Sequence, residues 1–359
     1  MIQFQPSGAD SLAYNSVVNN IIDVVGDSSG GNNYGFGSGT GSMQRNLTIS
    51  GNTIRTNHHG INILQFSNSS IVNNSITAVN GSGIVIDSFL GSSCRGLDIS
   101  NNTINTSGVS SNYGLSLVNI FDDIIRGNII RATGSGSENG GLYENGGSNN
   151  QIIGNIISTN GTDSNIGIRF NSITNNITIA GNNISTFGTS VNNYGIYMNG
   201  AASASNFSVY GNNISTYGTS SNYGIFLYLA GATGNLIVNN SILANGSDYS
   251  NIGIYDIQAS YNNITGNLIR TDGTDTNHGI ALVYEQNNNT LLNNIIFAGG
   301  NSAVANPMRV SNNGKNVITV GGFNLDQPTS QIYARGPTQD GRFKPDILSA
   351  AGTDNIGEG

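Results

Sequence analysis

Few groups in this chain are able to do acid–base or metal chemistry: 20 Asp and Glu, 12 Lys and Arg, three His and one Cys among 359 residues. Hydrolysis of a glycosidic bond needs two carboxylates about 5–9 Å apart, so the spacing of the acids decides first. The densest charged stretch is Asp122-Asp123, with Arg126, Arg131 and Glu138 close by in sequence, and it reads as a solvated turn. Asp248 in "NGSDYSN" and Asp272 and Asp275 in "DGTDTN" offer the oxygen ligands that calcium prefers. Ordinary Asx turns explain the same residues. No cofactor is expected; calcium is the one that these residues could hold, since so few His and Cys disfavour zinc and copper. The lone Cys94 excludes an intrachain disulfide. No complete catalytic constellation emerges, and the expectation leans towards a chain that is not an enzyme.

The elements that would position these groups follow from an internal period. A motif of Gly or Asn, then Asn, any residue and Ile ends at Ile54, Ile76, Ile104, Ile130, Ile157, Ile184, Ile214, Ile242, Ile269 and Ile296, in steps of 22 to 30 residues clustered near 27. Gly followed by an apolar residue recurs once per period, from Gly60-Ile61 to Gly279-Ile280. Two residues before most of these glycines stands an Asn, as at Asn112, Asn139, Asn165, Asn193, Asn222, Asn251 and Asn277. A third apolar segment repeats as "NLTI", "GLDI", "NITI" and "NFSV".

Three short strands per period, separated by Gly/Asn/Ser turns, predict an all-β chain: a right-handed parallel β-helix of ten or eleven rungs, about 50 Å long at strand spacing. Leucine-rich repeats share the period but need another segment type, and propeller blades need about 40 residues. Asn at the fixed turn position before Gly tolerates positive φ and is able to form an amide ladder between rungs. His59 and His278 fall at the repeat position held elsewhere by Tyr34, Tyr113, Tyr194 and Tyr223, and so read as rung residues.

With the residue after each repeat Gly facing inward, the next faces outward. That outward row reads Asn62, Val85, Ser116, Tyr143, Arg169, Tyr197, Phe226, Tyr255, Ala281. Tyr143, Arg169, Tyr197, Phe226 and Tyr255 on successive rungs are the candidate ligand-binding strip, aromatic faces for sugar rings with Tyr hydroxyls as handles. Stacked aromatics also stabilise a parallel sheet with no ligand. In the following, inward row Glu144 and Asp256 interrupt an apolar series. They stand four rungs apart, roughly 19 Å by strand spacing, too far to act together. A local bulge turning each outward is the expected resolution.

Residues 40 to about 300 resemble the parallel β-helix repeat family, including surface and periplasmic proteins with rungs of the form "NxTISGNTI…GI". The resemblance implies a fold and not an activity. After about Pro307 the register is lost. "KNVITVGGFN" from Lys315 and "ARGPTQDGRFKPDILSAAG" from Ala334 resemble part of a subtilisin-like serine protease domain, over about residues 307–352. By that resemblance "FAGGNS" would make Asn301 an oxyanion residue, although it also reads as one more turn residue. No segment resembles the family's aspartate or histidine motif. After the "KPD" turn the sequence reads "GTDNIGEG", where the family carries its nucleophile. Without a triad, this chain alone is not expected to cleave peptides.

The expected organisation is therefore 1–39 as N-terminal rungs or cap, 40–306 as β-helix and 307–359 as an incomplete subtilase-like segment. A net charge of −8 and pI near 4.6 exclude a basic nucleic-acid face, and no apolar run is long enough to span a membrane as a helix. "MIQFQPSGAD" lacks the regions of a signal peptide, and a truncated start is one reading of that. The expected location is extracellular or cell-surface. The expected role is a structural, adhesive or glycan-binding rod, with glycans or surface proteins as partners and end-to-end self-association through uncapped rungs. The alternatives are a spacer within a larger subtilisin-like protease, and a polysaccharide lyase or glycoside hydrolase.

Overall fold

The computed structural model describes residues 2–4, 12–24, 34–38, 43–88, 94–109, 112–200, 205–229, 233–284, 288–299, 306–310, 320–321 and 347–348. Every described element is a strand and every strand pairing is parallel. Each period contributes one strand to each of three sheets. Sheet A carries the Gly-apolar segments in an unbroken path of twelve strands, from Ile2–Phe4 to Asn306–Val310. Sheet B carries the "NLTI" type in eleven strands, from Ser16–Val18 to Thr290–Leu292. Sheet C carries the Asn-x-Ile type in eleven, from Ile21–Val24 to Ile295–Ala298. The last strand of sheet A pairs with His278–Val283, so the rungs run across the boundary expected between residues 306 and 307. Beyond them, Val320–Gly321 pairs with Ile347–Leu348.

Register holds the repeat motifs in rows. Ile76 pairs with Ile54 and Ile104, and Ile71 with Ile49 and Ile99. These inward Ile, Leu and Val residues fill one continuous core along the rod. The repeat glycines are required by close approach, not by φ. A Cβ on Gly195 would fall on the Ile214 side chain and the Gly224 carbonyl oxygen of the next rung, and the same holds at Gly167 and Gly224.

Two asparagine ladders line the turns. The one expected before the repeat Gly is present: Asn165 Nδ2 donates to Asn193 Oδ1 at 2.9 Å and Asn193 Nδ2 to Asn222 Oδ1 at 3.0 Å. Its positive φ, however, belongs to the residue before each Asn, namely Glu138, Ser164, Asn192, Ser221, Ser250 and Thr276. The left-handed residue makes the bend, and the Asn after it keeps ordinary backbone geometry with its amide aimed inward. The longer ladder lies between sheets B and C and uses the second residue of the Gly-Asn motif, from Asn20 through Asn52 and Asn155 to Asn294. In it each backbone N–H and each Nδ2 donates to Oδ1 of the next rung, as from Asn155 to Asn182 at 2.9 Å in both cases. The amide also donates to a carbonyl of the preceding rung, Ile125 O at 2.9 Å. The turn's polar groups are thereby satisfied without water.

Candidate functional site

The outward row of sheet A is in register as expected: Ser116, Tyr143, Arg169, Tyr197, Phe226, Tyr255 and Ala281 pair in succession. The row continues to the exposed Arg309, which the sequence reading had assigned to the tail. Arg169 and Arg309 thus stand five rungs apart, about 24 Å by strand spacing. A second outward row beside it adds Tyr113, Tyr194 and Tyr223.

The ring geometry changes what this strip is able to do. Tyr197 and Phe226 stack at 5.0 Å and 13°, and Phe226 and Tyr255 at 5.1 Å and 10°. In-register strands place rings of one row at stacking distance, so the facing sides of Tyr197, Phe226 and Tyr255 are taken by one another. The faces between Tyr197, Phe226 and Tyr255 are therefore closed to the expected mode of contact, a sugar ring lying on an open aromatic face. Burial raises the pKa of the hydroxyls of Tyr194, Tyr197, Tyr223 and Tyr255, which keeps them neutral hydrogen-bonding groups.

Arg169 occupies a ring position in this stack. Its guanidinium carbon lies 5.7 Å from the Tyr143 ring centroid and 5.9 Å from that of Tyr197. A planar, weakly hydrated cation suits such a slot. Burial raises the pKa of the nearby Tyr113 hydroxyl, and the Arg169 charge works against that rise. The ion pairs among the described residues are Arg55–Asp23, Arg95–Asp122 and Arg126–Asp98, so half-buried Arg169 has no carboxylate within 4 Å there. Next to it Asn171 Nδ2 donates to the Tyr143 hydroxyl and Asn199 Nδ2 to Asn171 Oδ1, both at 3.4 Å.

Farther along the same strands the sheet turns concave. An open groove of about 450 Å³ is lined by Asn119, Phe121, Gly146, Gly147, Ser148, Ser172 and Asn175. Its shape comes from a bulge between Asn145 and Gly147, where the partner strand Ile166–Asn175 holds one extra residue. Asn119, Gly146 and Ser172 take positive φ. At its rim the Arg95 guanidinium lies 5.1 Å from the Phe121 ring centroid and pairs with Asp122 at 2.6 Å. Sequence periodicity missed this groove, although "ENGGS" with its paired glycines marked the irregular rung.

The buried acids depart from expectation. Glu144 and Asp256 are fully buried and face inward; no bulge turns them out. Asn150 Nδ2 donates to Glu144 Oε1 at 2.8 Å and Asn262 Nδ2 to Asp256 Oδ2 at 2.7 Å. An amide six residues downstream thus supplies the partner that an outward turn was expected to replace. Asp123, expected in a solvated turn, is also fully buried. It holds a ladder position, where Oδ1 accepts from Leu97 N–H at 2.7 Å and its own N–H donates to Asn150 Oδ1 at 3.0 Å. Burial pushes both Asp123 and Glu144 up to about 8, Asp122 adding to the first and Asp123 to the second. The carboxyls that come together here are therefore buried core residues that hold their protons below about pH 8.

Asp248 and Asp272 serve as turn acceptors: Thr274 Oγ1 donates to Asp248 Oδ1 at 3.3 Å and Gly273 N–H to Asp272 Oδ1 at 2.9 Å. Asp275 is exposed. Among the described residues no three His, Cys, Asp or Glu side chains converge on a metal position. His59 behaves as a rung residue, stacked on Tyr34 at 6.0 Å and accepting the Ser82 N–H at Nδ1. Burial, with His58 beside it, pulls its pKa down to about 4.

No protein-family model and no curated protein matches the chain. Solved structures do match in fold. A chain of the Vag8–C1 inhibitor complex is 16% identical, with TM-score 0.51, over 89% of this chain and 81% of that one. A lidless DFA-IIIase from Arthrobacter chlorophenolicus A6 is 12% identical, TM-score 0.47, over 77% and 70%. The periplasmic alginate epimerase AlgG is 11% identical, TM-score 0.46, over 79% and 70%. None of these findings supports the resemblance of residues 307–352 to subtilisin-like proteases; Asn301 and most of that segment lie outside the described residues. What the chain shares with the solved structures is the parallel β-helix.

Proposed function

We propose that the protein is a non-enzymatic, extracellular or cell-surface rod that binds acidic glycans along the outer face of sheet A. The observation that carries this reading is Arg169, a half-buried cation stacked between Tyr143 and Tyr197 with no carboxylate partner among the described residues. A partly desolvated charge left unpaired is costly, and a carboxylate or sulfate brought by a ligand would offset that cost through charge-assisted hydrogen bonds. The neighbouring hydroxyls and the Asn171 and Asn199 amides suit sugar hydroxyls, and Arg309 gives the row a second cation. A lyase or hydrolase gains no support from the buried acid pair.

Binding of a polyuronate, and of the same polymer with its carboxyls reduced, would be measured for the wild type and for Arg169→Gln. The expected result is a preference for the charged polymer that Gln cuts at least about tenfold, the loss of one charge-assisted contact of about 1.5–3 kcal/mol, and that weakens with added salt. Equal binding of both polymers by both proteins would sink the reading.

A further inference from the structure

The groove on sheet A is built where the chain departs from its own repeat. Asn145 pairs with Asn171 and Gly147 with Thr174, so one strand advances two residues while its partner advances three. The bend takes left-handed backbone on three successive rungs, at Asn119, Gly146 and Ser172. It also requires glycine. A Cβ on Gly146 would stand 2.6 Å from Asn119 Oδ1, and one on Gly147 would fall on the Ile120 carbonyl oxygen. The space left is about 450 Å³, within the range of sites that hold a small molecule.

The walls decide which molecule that is. Half-buried Phe121 is the single apolar side chain among the lining residues, and four polar ones accompany it. Among the described residues the side chains of Asn119, Ser148 and Ser172 and the Nδ2 of Asn175 make no hydrogen bond, while Asn175 Oδ1 accepts from Ser205 N–H at 2.9 Å. Two hydroxyls and one amide are thus able both to donate and to accept, and a second amide to donate. No lining residue is charged. At the rim Arg95 is already paired with Asp122 at 2.6 Å, and Asp122 also accepts from Asn149 Nδ2 at 2.9 Å. An ionised ligand would give up hydration here and find no free opposite charge. A neutral ligand with one apolar face and several hydroxyl groups matches all the walls.

We propose that this groove is a second binding site and takes one ring of a neutral sugar. The C–H face of the ring packs on Phe121, and its hydroxyls meet Asn119, Ser148, Ser172 and Asn175. Ser148 lies five residues beyond Tyr143 on the same strand, about 16 Å by strand rise. The site is therefore separate from the strip around Arg169 and differs from it in charge. It stands whether or not the strip binds acidic glycans.

Saturation-transfer NMR with an equimolar mixture of the methyl pyranosides of glucose, galactose, mannose, rhamnose and N-acetylglucosamine tests this, with methyl glucuronide as the charged counterpart. At least one neutral glycoside is expected to receive saturation from the wild type, and to receive more than the glucuronide. Asn119→Gly suits the positive φ at that position and removes the amide. It should raise the dissociation constant of that glycoside at least about threefold, the loss of one neutral hydrogen bond. Ser148→Trp would fill the groove and abolish the signal, and circular dichroism would confirm that each variant keeps its sheets. No saturation of any neutral glycoside, stronger saturation of the glucuronide, or unchanged binding by either folded variant would overturn the proposal. The strip is tested with a polyuronate and Arg169→Gln, so each site is able to fail alone.

Discussion

Glu144 sits in a row of Ile, Leu, Phe and Met with its carboxyl against Asn150, and its behaviour with pH follows from that place. In the unfolded chain such a group titrates near 4, whereas folded Glu144 titrates at about 8, as does Asp123. Folding therefore retains protons that the unfolded chain releases. Their contribution is full below about pH 4, declines as pH rises from there, and is gone above about 8. Glu144→Gln keeps an oxygen for Asn150 and removes one of the two protons. Urea midpoints measured from pH 4 to 9 are expected to fall less steeply in the variant, with a gain over wild type at pH 8; parallel curves would show that Glu144 is already ionised in the folded protein. Its inward position was legible from the period, and its fate was not. Alternation places a side chain on a face, while the amide that accepts it inside lies six residues on, across a turn whose path periodicity does not describe.

Rows of like residues do the work at the scale of the strand and turn. Asn155 shows why the B–C ladder is strict: its carbonyl oxygen accepts from Asn128 N–H and Nδ2, and its amide donates to Ile125 O and Asn182 Oδ1. Asn155→Ala orphans at least two buried groups, at about 1–3 kcal/mol each. Chemical denaturation should show a loss of at least about 2 kcal/mol, against about 0.5 kcal/mol or less for the exposed Ser241→Ala in sheet C. Equal midpoints for the two would remove the ladder from the account. The three strands per period and the ladder before the repeat Gly were readable because both repeat in type and spacing. The B–C ladder was present in the same Gly-Asn motif and went unassigned. The bulge behind Gly147 was hidden because it occurs once among the described residues.

At the scale of the whole rod, sheet A carries the aromatics, the groove and an arginine with no carboxylate partner among the described residues. Sheet C offers the comparison: its outer face carries the stacked, partly exposed pair Phe187 and Tyr217 at 4.9 Å, with no cation beside it in the contacts described. The strip's residues were legible as a row, yet their ring orientation was not. Spacing tells that rings share a row, but not that neighbours take each other's faces. Nor did the sequence reading carry the row on to Arg309, because Pro307 stands where the motif has its Gly, opposite Gly279. Hydroxyl-radical footprinting by mass spectrometry tests directly whether acidic glycan lies along sheet A. With a polyuronate bound, Tyr143, Tyr197 and Tyr255 are expected to lose labelling at least twofold while Phe187 and Tyr217 keep theirs. Protection that falls on Phe187 and Tyr217, or nowhere, would contradict it.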